Sequence, residues 1–179
     1  MNLLWWIGQA IGLAGIALNV AIYQQRTRKK LLLFKFLSDI MWFLHYGFLG
    51  AFSGAAVGLI GCGREFVFMH TDKKWASKKI WVPIFICISI ISAAMTWKSI
   101  WSILPACASV ISVLSFARSD PKTSRFLCFI ISACMLTYDV TCLSYSGMAN
   151  EVLTVISGVI GVIRYDIKKN DVGIKETIE

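Results

Sequence analysis

Residues 31–51 read LLLFKFLSDIMWFLHYGFLGA, and one phenylalanine later residues 53–70 read SGAAVGLIGCGREFVFMH. A helix needs about 20 apolar residues to cross a hydrocarbon core about 30 Å thick, and each run approaches that length. The turn signal at their junction is Ser53-Gly54, the first two residues of the second run and a pair typical of turns. The stretch therefore predicts a tight hairpin of two membrane-spanning helices.

The composition of the whole chain points to the same class of protein. Of its 179 residues, 57% are apolar and 16% are charged, and the mean hydropathy is +0.68. Soluble domains are about half apolar and about a quarter charged. A soluble fold of this size cannot bury so much apolar surface, which argues against a soluble enzyme or a nucleic-acid-binding module. The net charge of +8 therefore does not indicate a polyanion partner.

Further apolar segments extend this pattern along the chain. Seven segments approach a spanning length, at roughly 4–24, 31–51, 53–70, 80–97, 99–117, 124–144 and 149–167. Ser146-Gly147 predicts a second hairpin between the last two. Fusing segments four and five across Thr96-Trp97-Lys98-Ser99 would require one helix of 38 residues, far longer than the membrane is thick. We therefore predict an all-α integral membrane protein with seven transmembrane helices.

The basic residues predict its orientation, because Lys and Arg collect in cytoplasmic connections. If the helices alternate in direction, 16 of the 18 basic residues fall on one side, and only Lys98 falls on the other. Arg64 lies within a helix. The 16 are Arg26, Arg28, Lys29, Lys30, Lys35, Lys73, Lys74, Lys78, Lys79, Arg118, Lys122, Arg125, Arg164, Lys168, Lys169 and Lys175. This predicts an N-terminus outside and a C-terminus in the cytoplasm.

The chain also resembles itself. At a shift of 93 residues, Ala51-Phe52-Ser53-Gly54 falls on Ser144-Tyr145-Ser146-Gly147 and Lys29 falls on Lys122. A G-x-x-R motif recurs at Gly61 and Gly161, although at an offset of 100. These matches predict an internal duplication.

A directly attached second copy of three helices would be inverted, and one intervening helix restores the direction of the first copy. The predicted plan is two parallel three-helix repeats joined by a linker helix. Residues 1–70 form the first repeat, 71–98 the basic loop and linker helix, 99–167 the second repeat, and 168–179 a short cytoplasmic tail.

The chain length, the glycine-rich first helix, the basic stretch after Tyr23-Gln24-Gln25 and the two G-x-x-R motifs resemble the bacterial inner-membrane YgjV family over nearly the whole chain. The resemblance implies an inner-membrane location and this topology, and it leaves function open. The three-one-three plan is also similar to that of SWEET sugar transporters and nicotinamide riboside transporters. The chain lacks a Pro-Gln pair, and Trp97-xxx-Trp101 is not a W-x-x-W, so their substrates are not carried over.

Charged residues within the segments are the candidate functional groups, because each costs at least about 2.5 kcal/mol in the hydrocarbon core. At 1.5 Å per residue, Asp39 and Arg64 come out at similar depth, which predicts a salt bridge between helices two and three. The pair either lines a substrate cavity, where Arg64 could bind an anionic group, or holds two helices together. Lys35 either pairs with Asp39 one turn away or extends to the interface.

Polar groups in both halves supply the other candidates. Asp139 corresponds to Tyr46, next to His45, at the shift of 93. His45 and Asp139 form either a proton relay or substrate clamp, or two interfacial residues. Asn19 either lines the cavity or joins helices.

One position in the first helix of each half is a candidate hinge. Pro105 in helix five corresponds to Gly12 in helix one at the same shift. A proline inside a helix removes a backbone hydrogen bond and bends it. The pair therefore predicts either two hinges or one static kink.

These patterns lead to a functional prediction. The sequence contains no HExxH, G-x-S-x-G or P-loop motif and no cluster of metal ligands, so no catalytic residue, metal or cofactor is predicted. The expected partners are the lipid bilayer and a small polar or anionic solute, without nucleic acid, and a homo-oligomer is left open. We predict a small-molecule transporter that works by alternating access. The alternative is a membrane scaffold or sensor without transport, in which the charges only specify helix packing. The predicted binding residues are Asn19, Asp39, His45, Arg64 and Asp139, and the hinges are Gly12 and Pro105.

Overall fold

The computed structural model describes residues 3–22, 28–117 and 121–163. Within these ranges the chain forms seven α-helices, one 3₁₀ turn and no strand, so the all-α prediction is confirmed there. The tail at 168–179 and Arg164 lie outside the described residues. The helices are α1 (Leu3–Ile22), α2 (Arg28–Phe48), α3 (Phe52–Met69), α4 (Trp81–Met95), α5 (Ile103–Ala117), α6 (Pro121–Thr141) and α7 (Tyr145–Val162).

The length and composition of three of the described helices are sufficient to cross a membrane. They are Leu3–Ile22, Lys29–Phe48 and Phe52–Met69. Trp81–Met95, Ile100–Ser115 and Phe126–Thr141 are apolar but shorter. The helices thus have the character of a membrane protein, and crossing by all seven stays a prediction.

The predicted break between helices four and five is confirmed. α4 ends at Met95, and a 3₁₀ turn at Ile100–Ser102 leads directly into α5. The Lys98 backbone N–H donates to Ser102 Oγ at 3.2 Å, which orders the connection. Two helices therefore replace the long fused one.

Both hairpins turn earlier than predicted. The turns occupy residues 49–51 and 142–144, so Ser53-Gly54 and Ser146-Gly147 lie in the first turns of α3 and α7. Ser144 caps α7 by accepting a hydrogen bond from Gly147 N at 3.1 Å. The placement of the turns on the Ser-Gly pairs is therefore wrong, because both pairs are helical and the serine side chains bond other helices or connections, Ser53 to Thr96 O and Ser146 to Gln9.

The helix bounds recur at an interval of 93 residues. The last residue of α2, at 48, is followed 93 residues later by the last residue of α6, at 141, and 52 and 69 of α3 likewise precede 145 and 162 of α7. Gly50 and Leu143, also 93 apart, both have positive φ. At this interval Gly61 corresponds to Thr154 and not to Gly161. The two G-x-x-R motifs, which are 100 residues apart, thus do not share the interval of the helix bounds.

The packing places polar side chains of several helices together. α2 packs against α1 and α3, α6 packs against α5 and α7, and the contacts of α1 with α7 and of α3 with α5 join the two halves. A Cβ at Gly58 would lie 2.8 Å from the backbone nitrogen of Phe43 in α2. Such close approach at small residues is typical of membrane helices. It brings the polar face of α2 against α3.

Candidate functional site

A central cavity of ≈150 Å³ lies between the helices. α1, α2, α3, α5, α6 and α7 all contribute to its wall. The aromatic residues Trp42 and Tyr46 line it. Its polar lining comes from both halves and comprises Asn19, Lys35, Asp39, Arg64, Ser112, Asn150 and Glu151.

The cations of the cavity are held by local partners. Lys35 Nζ pairs with Asp39 Oδ1. Arg64 Nη2 and Nε donate to Glu65 Oε1 at 2.9 and 3.1 Å, and Arg64 Nη1 donates to Ser112 Oγ at 2.7 Å on α5. The predicted bridge between Asp39 and Arg64 is therefore wrong, although both residues line the same cavity. An acid next to Arg64 in sequence and a lysine one turn from Asp39 provide nearer partners.

Three buried carboxylates, those of Asp39, Glu65 and Asp139, keep one oxygen without a hydrogen-bond partner among the described residues, and the first two lie at or next to the cavity. Asp39 is 5% exposed and Glu65 is fully buried, and the atoms concerned in these two are Asp39 Oδ2 and Glu65 Oε2. Asp39 Oδ2 lies against α3, where a Cβ at Gly61 would come within 2.5 Å of it. Leaving such an atom unpaired costs free energy, so these oxygens mark candidate binding positions.

Amide groups link the two halves at the cavity. Asn19 Nδ2 donates to Asn150 Oδ1 at 2.7 Å, and Ser38 Oγ donates to Asn19 Oδ1 at 2.8 Å. Asn19 therefore lines the cavity and also joins helices, so both predicted alternatives hold. Asn150 Nδ2 in turn donates to Glu151 Oε1 at 3.1 Å.

Glu151 was missed by the sequence reasoning. It lines the cavity from α7. An acid within the predicted spanning segment 149–167 satisfies the same criterion that singled out Asp39, so that criterion could have found it.

His45 and Asp139 lie on either side of Ser144 and are both fully buried, so of the two predicted alternatives the one that makes them interfacial residues is wrong. His45 Nδ1 lies 2.7 Å from Gly8 O, and His45 Nε2 lies 2.7 Å from Ser144 Oγ. A carbonyl only accepts, which assigns the proton of a neutral His45 to Nδ1 and makes Ser144 the donor to Nε2. The Ser144 backbone N–H donates to Asp139 O at 2.9 Å.

Tyr46 connects this buried network to the central cavity. Its hydroxyl donates to Asp139 Oδ1 at 2.7 Å, while Tyr46 itself lines the cavity. Neither His45 nor Asp139 is part of the cavity wall. Of the five predicted binding residues, three therefore line one cavity and two lie behind Tyr46.

The two predicted hinge residues differ in their surroundings. Pro105 is the third residue of α5, in the first turn, where no intrahelical N–H bond is required, so the predicted kink inside helix five is wrong. Gly12 lies within the continuous helix α1, and a Cβ there would overlap Ser146 and come within 2.9 Å of His45 Nδ1. Gly12 thus permits close packing, and flexing at either position stays a prediction.

The comparisons with known proteins place the chain in a family. A family model described as bacterial inner membrane protein, Imp-YgjV, matches residues 6–169. No curated protein and no solved structure matches the chain. The similarity to SWEET and nicotinamide riboside transporters is therefore not supported. Because the family model matches well over half of the sequence, the chain belongs to the Imp-YgjV family of bacterial inner membrane proteins.

Proposed function

We propose that the protein transports a small polar solute across the bacterial inner membrane by alternating access. In this proposal α1–α3 and α5–α7 are two parallel repeats, α4 is the linker, and all seven helices cross the bilayer with the C-terminus in the cytoplasm. The observation that carries the proposal is the central cavity, because all six repeat helices line it. Transporters of this kind bind substrate near mid-membrane between two repeats.

Exchanged contacts at the helix starts support the relation between the two halves. The rings of Trp5 and Tyr145 pack at 5.6 Å, and Lys98 Nζ lies 4.3 Å from the centre of the Phe52 ring. At the interval of 93 residues, Trp5 corresponds to Lys98, and Phe52 corresponds to Tyr145. Equivalent positions therefore meet in exchanged order, as a two-fold relation between repeats requires.

The placement of the ion pairs favours transport over a scaffold. A scaffold in which charges specify packing calls for ion pairs between helices. Lys35 pairs with Asp39 within α2, and Arg64 pairs with Glu65 within α3. Burying an ion pair stabilises a fold little compared with apolar packing. Ion pairs that lie within single helices at a cavity are therefore better explained by a role in the cavity than by a role in packing the helices together.

Cysteine accessibility tests this proposal. Val57→Cys places a thiol in the cavity wall, in a variant whose six native cysteines are replaced by alanine. A membrane-impermeant methanethiosulfonate is applied to right-side-out and to inverted vesicles. Alternating access predicts labelling from both faces.

The matched control is Ile60→Cys on the same helix, because Ile60 is buried in the apolar cluster with Phe85 and Val113. We expect no labelling there. If Val57→Cys resists the reagent from both faces, the scaffold or sensor alternative replaces transport. Labelling from one face alone would contradict alternating access.

A further inference from the structure

The charge of the central cavity identifies the class of solute that it can take. Counted by residue type, two basic side chains, Lys35 and Arg64, stand against three acidic ones, Asp39, Glu151 and the Arg64 partner Glu65, so the formal charge is −1. Three nitrogens of Arg64 already donate to Glu65 or Ser112. Arg64 is thus committed within the protein, contrary to its predicted role in binding an anion.

Two carboxylates face the cavity with unused capacity. Asp39 is 95% buried, and its Oδ2 has no hydrogen-bond partner in the described part of the chain. Glu151 accepts from the Asn150 amide and forms no ion pair with any described residue. The two acids belong to α2 and α7, so they approach the cavity from different halves. Such carboxylates stabilise a positive charge placed between them.

Aromatic rings complete the lining beside these acids. Asp39, Trp42 and Tyr46 are spaced three and four residues apart, so they lie on one face of α2, and all three line the cavity. Aromatic faces attract ammonium groups, most strongly away from water. The Asp39 carboxylate, which shares one oxygen with Lys35, lies on the same helix face as Trp42 and Tyr46, and a carboxylate beside such rings is suited to an organic cation.

A metal ion fits these residues less well. Among the described residues, no group of three His, Cys, Asp or Glu side chains is placed to hold a metal. Hard cations need six or more oxygen ligands. Beside two carboxylates the cavity offers the side-chain oxygens of Asn19, Ser112 and Asn150, and these already accept hydrogen bonds within the protein. An ammonium group needs only a few acceptors and a ring face.

We propose that the central cavity binds a small organic cation that carries an ammonium group, with Asp39 and Glu151 as counter-ions and Trp42 and Tyr46 as walls. The inference rests on the proposed transport function and specifies its substrate class. Of the predicted small polar or anionic solutes, it selects a polar cation in place of an anion.

Thermal unfolding of the purified full-length chain in detergent tests this assignment. The probes are propylammonium and propionate, which match in size and differ in charge, each titrated at constant ionic strength. Propylammonium is expected to raise the unfolding midpoint saturably, and propionate is expected to leave it unchanged. Glu151→Gln should weaken the apparent affinity for propylammonium by about tenfold or more.

Asp39→Asn should weaken the affinity in the same direction, but it also breaks the ion pair with Lys35. Glu151→Gln is therefore the deciding variant, since it keeps the shape of the side chain. Asp72→Asn, in the exposed connection between α3 and α4, is the matched control and should leave the affinity unchanged.

Three results would overturn the cation assignment: stabilisation by propionate in place of propylammonium, no stabilisation by either probe, or equal affinity in wild type and Glu151→Gln. The Val57→Cys experiment separates this failure from failure of the transport proposal. Labelling from both faces without ammonium binding removes the cation assignment alone. Absence of labelling removes transport, whatever the cavity binds.

Discussion

Tyr46 Oη donates a 2.7 Å hydrogen bond to Asp139 Oδ1, and the two residues are 93 positions apart. The same interval relates the end of α2 to the end of α6 and the bounds of α3 to those of α7. Equivalent residues of two repeats can touch only close to the axis that relates them. Under the proposed repeat, this bond therefore marks where the two halves meet.

Glycines of the following helices keep this contact close. A Cβ at Gly54 would lie 2.8 Å from the Tyr46 ring, and a Cβ at Gly147 would lie 2.6 Å from the Asp139 carboxyl. Gly54 and Gly147 are also 93 residues apart. Each half thus packs a glycine against one partner of the same hydrogen bond.

Tyr46→Phe tests how much the hydrogen bond from Tyr46 to Asp139 contributes to the stability of the fold. The substitution keeps the ring but removes the donor to Asp139, which is fully buried. Leaving a buried carboxylate short of a donor should lower the free energy of unfolding by about 1–3 kcal/mol. The measurement is thermal or denaturant unfolding in detergent.

The control is Tyr138→Phe, which removes a hydroxyl that accepts a longer bond, 3.3 Å, from Gly54 N. We expect a smaller loss of stability. Equal losses of unfolding free energy in the two variants would mean that the Tyr46 hydrogen bond contributes no more to stability than the Tyr138 hydrogen bond.

Gly61→Ala is expected to disturb the cavity through Asp39. The new Cβ would come within 2.5 Å of Asp39 Oδ2, so the carboxylate must move. Overpacking of this kind costs about 1–3 kcal/mol. The measurement is the unfolding midpoint of the purified variant.

Gly63→Ala on the same helix is the comparison, because its Cβ would meet only a Phe85 ring atom at 3.5 Å. Replacing an exposed helical glycine by alanine gains up to about 1 kcal/mol. The two substitutions should therefore have opposite signs, and a loss at both positions would contradict the close approach of Asp39 to α3.

Arg64→Ala should destabilise the fold strongly, because it leaves the fully buried Glu65 without its cation. Removing one partner of a buried pair costs about 3–5 kcal/mol. The double variant Arg64→Ala/Glu65→Ala removes both charges and should recover much of that loss. Expression level and unfolding midpoint measure both effects.

If the double variant is no more stable than Arg64→Ala alone, the pair is not the reason for the loss. Because folding depends on the Arg64–Glu65 pair, a functional test of Arg64→Ala needs a measurement of folding beside it. Loss of uptake in Arg64→Ala alone would not separate a binding defect from a folding defect.

The sequence was sufficient to predict the helices but not their ends. Hydropathy predicted seven helices and the break at Thr96-Trp97-Lys98-Ser99, because the thickness of the bilayer limits the length of an apolar helix. The hairpin turns were misplaced, because Ser-Gly marks both a turn and the first turn of a helix, as at Ser146-Gly147. Local composition does not distinguish these two positions.

The partners of the site residues were harder to predict than their location. Counting residues gives the depth of Asp39 and Arg64 but not the direction in which each side chain points around its helix. Both residues reach the cavity, and each finds a closer partner on its own helix. Burial of His45 and Asp139 likewise depends on the packing of α1 and α7, which no single segment specifies.

Leu143→Gly should stabilise the protein. Leu143 has φ 53° in the turn between α6 and α7, and this left-handed conformation costs an L-residue about 1–2 kcal/mol. Its side chain is 53% exposed, so little packing is lost on removal. After subtracting the greater flexibility that glycine gives the unfolded chain, we expect a gain of up to about 1 kcal/mol in the free energy of unfolding.

The reciprocal substitution, Gly50→Leu, serves as the control at the position 93 residues earlier, where φ is 69°. A Cβ there would meet no atom within 4 Å, so a clash cannot account for any loss. After the same offset for the flexibility that glycine gives the unfolded chain, backbone strain should lower stability by up to about 1 kcal/mol. Opposite signs at the two positions would show that both turns share one backbone geometry despite different residues, whereas destabilisation by Leu143→Gly would mean that the leucine side chain stabilises its turn by more than the strain costs.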